Sequence, residues 1–178
     1  MEIKKVTQKD WLSEATKYIQ DGLHRTAYVV VETPVVIVHR KTQVDEEVCK
    51  NLGYEIIESY NNAGTIVSNK GDVLIGHFAQ PENGWYNRFI EYFIDWLKGK
   101  GLNAEFVSND IVVDGHKVCG MCVTRYGCID YTGGIISMNV NLDHIKSICK
   151  KPMVKVPKGL FDYGITTKEV EQMFLDFC

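Results

Sequence analysis

The chain has 178 residues and a formal net charge of −3 at pH 7; 45% of its residues are hydrophobic and 24% are charged. This length and composition predict one globular domain that spans residues 1–178 and buries its own core. The negative charge argues against nucleic acid as a partner, because nucleic-acid binding relies on a basic surface. No apolar run has the length of a membrane span and the start lacks a secretory signal, so we expect a cytoplasmic protein with no membrane partner.

The first half of the chain predicts helices and several short strands. Residues 8–22 place apolar side chains at helical spacing, which predicts an amphipathic helix that ends at Gly22. The β-branched runs 27–31 and 35–40 are separated by Thr33-Pro34, and we expect them to be neighbouring strands. The other elements predicted before residue 102 are a short helix ending at Gly53, strands over 54–59, 65–67 and 73–78, and a helix over 87–101 that packs across the sheet.

Residues 107–123 predict a β-hairpin. Two β-prone runs, 110–113 and 117–123, flank the turn-forming sequence Asp114-Gly115-His116. Alternation along the second run predicts one face with Lys117, Cys119, Met121 and Val123 and an opposite face with Val118, Gly120 and Cys122. On this interpretation Lys117 is a single cation at the rim of an apolar face, where an ammonium can bind a phosphate or a carboxylate, and Gly120 lets a ligand come close.

The rest of the chain predicts a strand, two helices and a basic segment. Residues 125–142 indicate a turn and a strand, residues 142–149 a short helix, and Thr166 or Thr167 can cap a last helix that runs to Phe177. Residues 150–158 are basic and contain two prolines, which predicts a solvated loop, with an exposed partner-facing edge as the alternative.

Six cysteines are spread over the chain, and without an export signal we expect them to be reduced. Cys119 and Cys122 form a C-x-x-C pair, which can be a redox pair or half of a zinc site. On a strand, residues three apart point to opposite faces, so these two sulfurs cannot easily meet one metal or each other. We therefore interpret them as buried structural thiols.

One stretch of the hairpin carries a family resemblance. Asn109-Asp110-Ile111, then Asp114-Gly115-His116-Lys117-Val118, then Gly120, resembles the N-D-I-x-x-x-G-R-K-x-x-G signature of lipoate–protein ligases in the biotin/lipoate ligase family. Residues 34–53 and 133–142 resemble other segments of that family more weakly. The resemblance implies an α+β fold, with a mixed, largely antiparallel sheet and helices packed on one side, in a single catalytic domain without an accessory C-terminal domain.

The resemblance also implies a chemistry. In that family, lipoate is joined to AMP from ATP, and the acyl group then passes to a lysine of a lipoyl domain. Lys117 would be the catalytic cation near the carboxylate and the α-phosphate, and Asp110 would bind Mg²⁺. The residues implied to bind ATP or lipoate are Asn62, Ala63, Gly64, Asn109, Asp110, Gly120 and Gly133.

Residues 58–63 depart from the family's R-R-x-S-G-G-G-A loop. Glu58 and Ser59 stand where the family has two arginines, and Asn62 and Ala63 replace two of its three glycines. A missing arginine removes a hydrogen-bond donor to the phosphate, and a glutamate in its place would repel the phosphate. The residues that could supply the missing positive charge from elsewhere are Arg40, His77, Arg88 and Arg125.

Three functions follow from this sequence. The first is a ligase that activates lipoate or octanoate with ATP and transfers it to a lipoyl domain. The second is a degenerate family member that binds a ligand or a protein partner without completing catalysis, which the altered loop favours. The third is an octanoyl transferase that works without ATP, for which Cys119 or Cys122 would be the nucleophile.

Overall fold

The structure is a computed structural model that describes residues 3–22, 24–59, 64–80 and 84–177. Within these residues lie ten strands and five α-helices. The strands are β1 (Ile3–Lys5), β2 (Arg25–Val30), β3 (Val35–Val38), β4 (Glu55–Glu58), β5 (Ile66–Ser68), β6 (Val73–Ala79), β7 (Ala104–Val107), β8 (Asp110–Val113), β9 (His116–Tyr126) and β10 (Ile129–Ile136). The helices are α1 (Trp11–Gln20), α2 (Glu46–Asn51), α3 (Trp85–Gly99), α4 (Leu142–Ile148) and α5 (Thr167–Phe177).

Seven strands form the main sheet, in the order β1-β2-β6-β10-β9-β8-β7. All of its neighbouring strands are antiparallel except β1 and β2. The second sheet has the order β4-β3-β5, with β3 parallel to β4 and antiparallel to β5. The predicted α+β fold with a mixed, largely antiparallel sheet is therefore confirmed.

The expectation that runs 27–31 and 35–40 are neighbouring strands is wrong. The first run forms β2 in the main sheet, and the second forms β3 in the centre of the second sheet. Between them the backbone N–H groups of Glu32 and Thr33 donate to the Gln8 side chain, at 2.9 and 3.1 Å, instead of to a strand. Because Pro34 has no N–H to add to a ladder, the chain changes sheet at this point.

Helices lie on both faces of the main sheet, α3 and α5 on one face and α1 on the other. Trp85, Phe89, Phe93 and Leu97 recur every four residues along α3 and are fully buried, so this helix packs across the sheet as predicted. Helix α5 joins α3 on that face, where Phe174 contacts the rings of Trp85 and Phe89. The other face is covered by α1 and the second sheet. No helix in the described part of the chain is both long and apolar enough to span a membrane.

A buried carboxylate, Asp72, ties the second sheet to the end of β10. It accepts hydrogen bonds from the Asn69 N–H at 2.8 Å, the Ser68 hydroxyl at 3.1 Å, and the Met138 and Asn139 N–H groups at 2.7 and 3.2 Å. Only 1% of Asp72 is exposed, and burial raises the pKa of its carboxyl to about 6. The desolvated Asp72 carboxylate therefore helps to hold the two sheets together.

The β8–β9 hairpin forms as predicted, but its two faces are not those that simple alternation predicts. Val112 pairs with Lys117 and Ile111 pairs with Cys119, so Val118 is an extra residue in β9. This β-bulge places two residues opposite one and shifts the alternation by one step. As a consequence, Lys117 lies on the same side as Gly120, not on the side of Cys119.

Candidate functional site

Two adjoining cavities lie between the main sheet and the second sheet. The first, which we call the apolar cavity, has a volume of about 350 Å³, and the second, the strap cavity, has about 460 Å³. Six residues line both cavities: Gly64, Thr65, Ile66, Asp110, Lys117 and Ile135. The shared residues make the two cavities one cleft with Lys117 at its centre.

The apolar cavity extends from Lys117 towards α1. Trp11 and Leu12 of this helix line it together with Leu74 of β6 and Ile37 of β3. The opposite end holds polar groups, because the Ser108-Asn109 turn and the side chains of Asp110 and Lys117 line it as well. A molecule with an apolar chain and an anionic end fits this distribution of side chains.

The sequence-predicted site residues meet in the apolar cavity. Its lining includes Gly64, Asn109, Asp110, Lys117, Gly120 and Gly133. Asn62 and Ala63 lie outside the described residues. The structure thus brings six of the predicted positions together from β8, β9, β10, the β7–β8 turn and the segment before β5, while their chemical roles stay predictions.

Asp110 lies between two lysines. Its Oδ1 is 2.8 Å from the Lys117 Nζ, and its Oδ2 is 2.9 Å from the Lys155 Nζ. Lys155 also donates to the backbone carbonyl of Val107. One carboxylate shared by two ammonium groups leaves these three side chains with a net charge of +1, which favours an anion.

Lys155 belongs to the basic segment 150–158, which we call the strap. The strap runs beside the start of β9, where the Lys117 N–H donates to the Val156 carbonyl at 3.1 Å and the Lys158 N–H donates to the Lys117 carbonyl at 2.9 Å. Six of its residues line the strap cavity. Five of its nine residues are exposed, including Val154 at 98%, so the predicted solvated loop is confirmed for most of the segment, while Lys155 is half-buried.

Two glycines make room for the groups in the cleft. A Cβ on Gly120 would lie 2.8 Å from the Lys117 Nζ and 3.0 Å from its Cε, so the missing side chain leaves the space that the lysine occupies. At Gly133 a Cβ would overlap the ring of Tyr131, which itself lines the apolar cavity. Both positions lie on strands with ordinary backbone angles, so close approach is the reason for glycine.

The turn before Asp110 is conformationally unusual. Ser108 and Asn109 have φ angles of 49° and 68°, the pair of left-handed residues that a tight hairpin turn requires. Asn109 is among the residues that tolerate this region, and its Oδ1 accepts a hydrogen bond from the Tyr86 hydroxyl at 3.3 Å. Asn109 therefore fixes the turn from which Asp110 enters the cleft.

The altered loop does not bring a negative charge into the cleft. Glu58 is exposed and its Oε1 lies 3.3 Å from the Lys41 Nζ, and it lines neither cavity. Ser59 does line the apolar cavity. The expected repulsion of a phosphate by Glu58 therefore has no basis in this geometry.

The four residues considered as replacements for the missing arginines also lie elsewhere. Arg40, His77, Arg88 and Arg125 line neither cavity. His77 is buried against Trp85, and burial lowers the pKa of its imidazole to about 4, so the ring is neutral at pH 7. Arg125 is paired with Asp130 at 2.8 Å. The lysine that does enter the cleft, Lys155, was missed because a basic segment with two prolines carries no spacing that points to a site.

The cysteine pair lies on opposite faces, as strand geometry predicts. Cys119 is fully buried in the core, where burial raises the pKa of its thiol. Cys122 lines the apolar cavity. Among the described residues, no group of three or more His, Cys, Asp or Glu side chains is arranged to hold a metal ion.

Asp110 does not form a ready magnesium site. Mg²⁺ binds oxygen ligands and in nucleotide sites uses one or two carboxylates together with the phosphates. Asp110 is the one described carboxylate that lines the cleft, and both of its oxygens face ammonium groups. This arrangement does not fit a magnesium ion held by the protein.

Comparison with known proteins identifies a family and similar folds. The sequence matches the family model of the lipoyl protein ligase A/B catalytic domain over residues 9–173, while no curated protein matches it. The fold is similar to that of a bi-partite lipoate protein ligase from Thermoplasma acidophilum, with 13% identity, a TM-score of 0.81, and coverage of 99% of this chain and 81% of that one.

Two further solved structures are similar at comparable identity. P. falciparum LipL1 in complex with lipoate has 13% identity and a TM-score of 0.81, over 98% of this chain and 60% of that one. A lipoate-protein ligase A bound with ATP has 14% identity and a TM-score of 0.78, over 99% and 83%. Because the family model extends over nearly the whole sequence, the chain belongs to the lipoyl protein ligase A/B catalytic domain family.

Proposed function

We propose that residues 1–178 are one catalytic domain that activates lipoate or octanoate with ATP and transfers the acyl group to a lysine of a lipoyl domain. The observation that carries this proposal is the cleft in which the Lys117 ammonium lies where the apolar cavity meets the strap cavity, which Lys151 and Lys155 also line. Family membership supports the same reaction, as do the lipoate and the ATP bound in two of the similar structures.

The first step joins the acyl carboxylate to AMP. A carboxylate oxygen attacks the α-phosphorus, the bond to the β-phosphate oxygen breaks, and pyrophosphate leaves with the electron pair. Lys117 would hold the carboxylate beside the α-phosphate and stabilise the negative charge of the transition state.

The second step transfers the acyl group to the acceptor. The neutral amine of the lipoyl-domain lysine attacks the carbonyl carbon of the mixed anhydride, and AMP leaves. The apolar walls around Trp11, Leu12 and Leu74 would hold the acyl chain and limit the access of water to the anhydride. A structure of the T. acidophilum ligase was determined together with a study of its E2 lipoyl domain, which supports this class of acceptor.

The ligase proposal predicts an ATP-dependent mass gain. A purified apo lipoyl domain is incubated with this protein, lipoate and magnesium, with and without ATP, and its intact mass is measured. We expect one added lipoyl group only with ATP, and a rate at least about 100-fold lower for Lys117→Ala, because a cation at the reacting phosphate is lost.

Lys17→Ala is the matched control, because Lys17 is an exposed lysine of α1 away from the cleft. Circular dichroism establishes that each variant is folded. If the folded wild-type protein transfers no acyl group under any condition but binds ATP, the protein is a degenerate member of the family, and the ligase proposal fails.

A second candidate is acyl transfer without ATP. Cys122 lines the apolar cavity, so its thiol could accept an octanoyl group from a thioester and pass it to the acceptor lysine. Transfer of octanoate from a thioester donor without ATP, lost in Cys122→Ser and kept in Cys128→Ser, would favour this reaction over the ligase.

A further inference from the structure

We propose that Lys155 is a second anion-binding residue of the cleft, and that Asp110 is its resting partner, which an anionic substrate replaces. The proposal rests on the proposed function for the identity of the anion, a phosphate of the nucleotide. Lys155 would then supply the positive charge that the altered loop at Glu58 and Ser59 does not bring.

The balance of charge in the cleft supports this assignment. Of the described residues that line the two cavities, Asp110 is the only acidic one, whereas Lys117, Lys151 and Lys155 are basic. The side chains of Asp110 and Lys155 are only 18% and 20% exposed, so solvent screens their charges incompletely. Two ammonium groups that share one carboxylate therefore attract a further anion into the cleft.

The backbone of the strap holds Lys155 in position. Two main-chain hydrogen bonds join the strap to Lys117, one from each side of Pro157, which itself lies beside Lys117 as in a parallel sheet. Lys155 lies just before this pairing, and its ammonium is directed at Asp110 and the Val107 carbonyl. An ammonium has three donors, so Lys155 can keep the Val107 carbonyl while it exchanges Asp110 for a phosphate oxygen.

Lys155 differs in this respect from the other lysines of the strap. Lys150 is exposed, lines neither cavity and makes no ion pair with Asp110. The Lys158 ammonium lies over the ring of Tyr163, 4.4 Å from its centre. Lys150 is therefore a matched control, with the same charge on the same segment and no contact with the carboxylate.

The test measures the affinity of the protein for ATP by titration calorimetry in the presence of EDTA, so that only protein cations contact the phosphates. We expect Lys155→Met to weaken binding by about tenfold or more, and Lys150→Met to change it by less than about twofold. Lys155→Arg should keep most of the affinity because it keeps the charge. Equal affinities for Lys155→Met and the wild type would overturn the proposal, as would equal losses in the two Met variants.

Asp110→Asn gives an independent test. If Lys155 had a purely structural role, this substitution would not increase the affinity for ATP. With the competing carboxylate removed, we expect ATP to bind several-fold more tightly in EDTA, and the gain should disappear in the double variant with Lys155→Met. A loss of affinity in Asp110→Asn contradicts the exchange of partners. The absence of ATP binding by the wild type in EDTA would likewise contradict the proposal.

The ligase assay separates this proposal from the proposed function. If Lys155→Met weakens ATP binding while the wild type transfers no acyl group, Lys155 is an anion-binding residue in a protein that is not a ligase. If the wild type transfers lipoate and Lys155→Met binds ATP normally, the ligase stands and the role of Lys155 fails.

Discussion

Gly120 decides where the Lys117 ammonium can lie, because the lysine side chain occupies the space that a Cβ would need. We expect Gly120→Ala to fold with unchanged or slightly higher stability, since alanine reduces the entropy of the unfolded strand and the atom it meets is the end of a flexible side chain. The displaced ammonium should lower the rate of acyl transfer by at least about tenfold. Thermal melting and the mass assay measure the two effects.

Gly99→Ala is the control for this substitution. Gly99 is the last residue of α3, and a Cβ there meets nothing within 4 Å. It should gain stability without loss of rate. Full activity in Gly120→Ala would contradict the role of Gly120 in the position of Lys117.

At the scale of single residues, the sequence predicted the positions that belong to one local pattern. Lys117, Gly120 and Asp110 lie within eleven residues of each other in a hairpin, so one pattern contains them all. Lys155 is separated from Asp110 by 45 residues, and only the path of the strap brings the two side chains together. Ion pairs of this kind have no periodicity along the chain and cannot be found from spacing.

At the scale of elements, α5 is held by the aromatic cluster under α3. Phe174 is fully buried, and its ring lies against Tyr28, Trp85 and Phe89. We expect Phe174→Ala to lower the free energy of unfolding by about 3–5 kcal/mol, because the cavity left by the ring cannot close in a packed core. Urea unfolding followed by circular dichroism gives this value.

The neighbouring Leu175 provides the comparison. It is 43% exposed on the same helix, and Leu175→Ala should cost less than about 1 kcal/mol. Equal losses for the two substitutions would mean that the α5 cluster contributes little to stability. Neither change touches the cleft, which lies on the other face of the main sheet.

Helices and strands whose apolar side chains repeat regularly were predictable from the sequence. The register and pairing of the strands were less predictable. The apolar side chains every four residues identified α3, and Asp114-Gly115 identified the hairpin. The extra residue of the bulge, Val118, is a β-branched residue that suits a regular strand equally well. Nothing in the sequence therefore distinguishes a bulge from a regular strand at this position. The change of sheet at Pro34 likewise depends on the side chain of Gln8, which lies in a distant segment.

At the scale of the whole molecule, two buried groups couple stability to pH with opposite signs. Asp72 has a raised pKa of about 6, so the folded state binds its proton more tightly than the unfolded state, and this term increases stability as the pH falls from about 7 to 4. His77 has a lowered pKa of about 4, so the unfolded state takes up the proton first, and this term decreases stability over the same range.

Each of the two terms amounts to about 3 kcal/mol at most, at about 1.4 kcal/mol per pKa unit, and in the wild type they largely cancel. We expect acidification from pH 7 to 4 to destabilise Asp72→Asn more than the wild type. His77→Phe, which keeps a ring against Trp85, should be destabilised less than the wild type.

Urea unfolding at a series of pH values tests both signs. Carboxylates with lowered pKa values, such as that of Glu169, contribute equally to all three proteins and cancel in the comparison. Parallel pH profiles for the three proteins would show that Asp72 and His77 titrate alike in the folded and unfolded states.

The pairing of the strap with Lys117 can be followed by hydrogen exchange at one backbone amide. The Lys117 amide hydrogen is bonded to the Val156 carbonyl, a group of the strap and not of the sheet. Its exchange with deuterium therefore requires the strap to separate from β9, independently of any unfolding of the hairpin. The protection of this single amide measures how firmly the strap is paired with β9 at the residue on which the proposed chemistry depends.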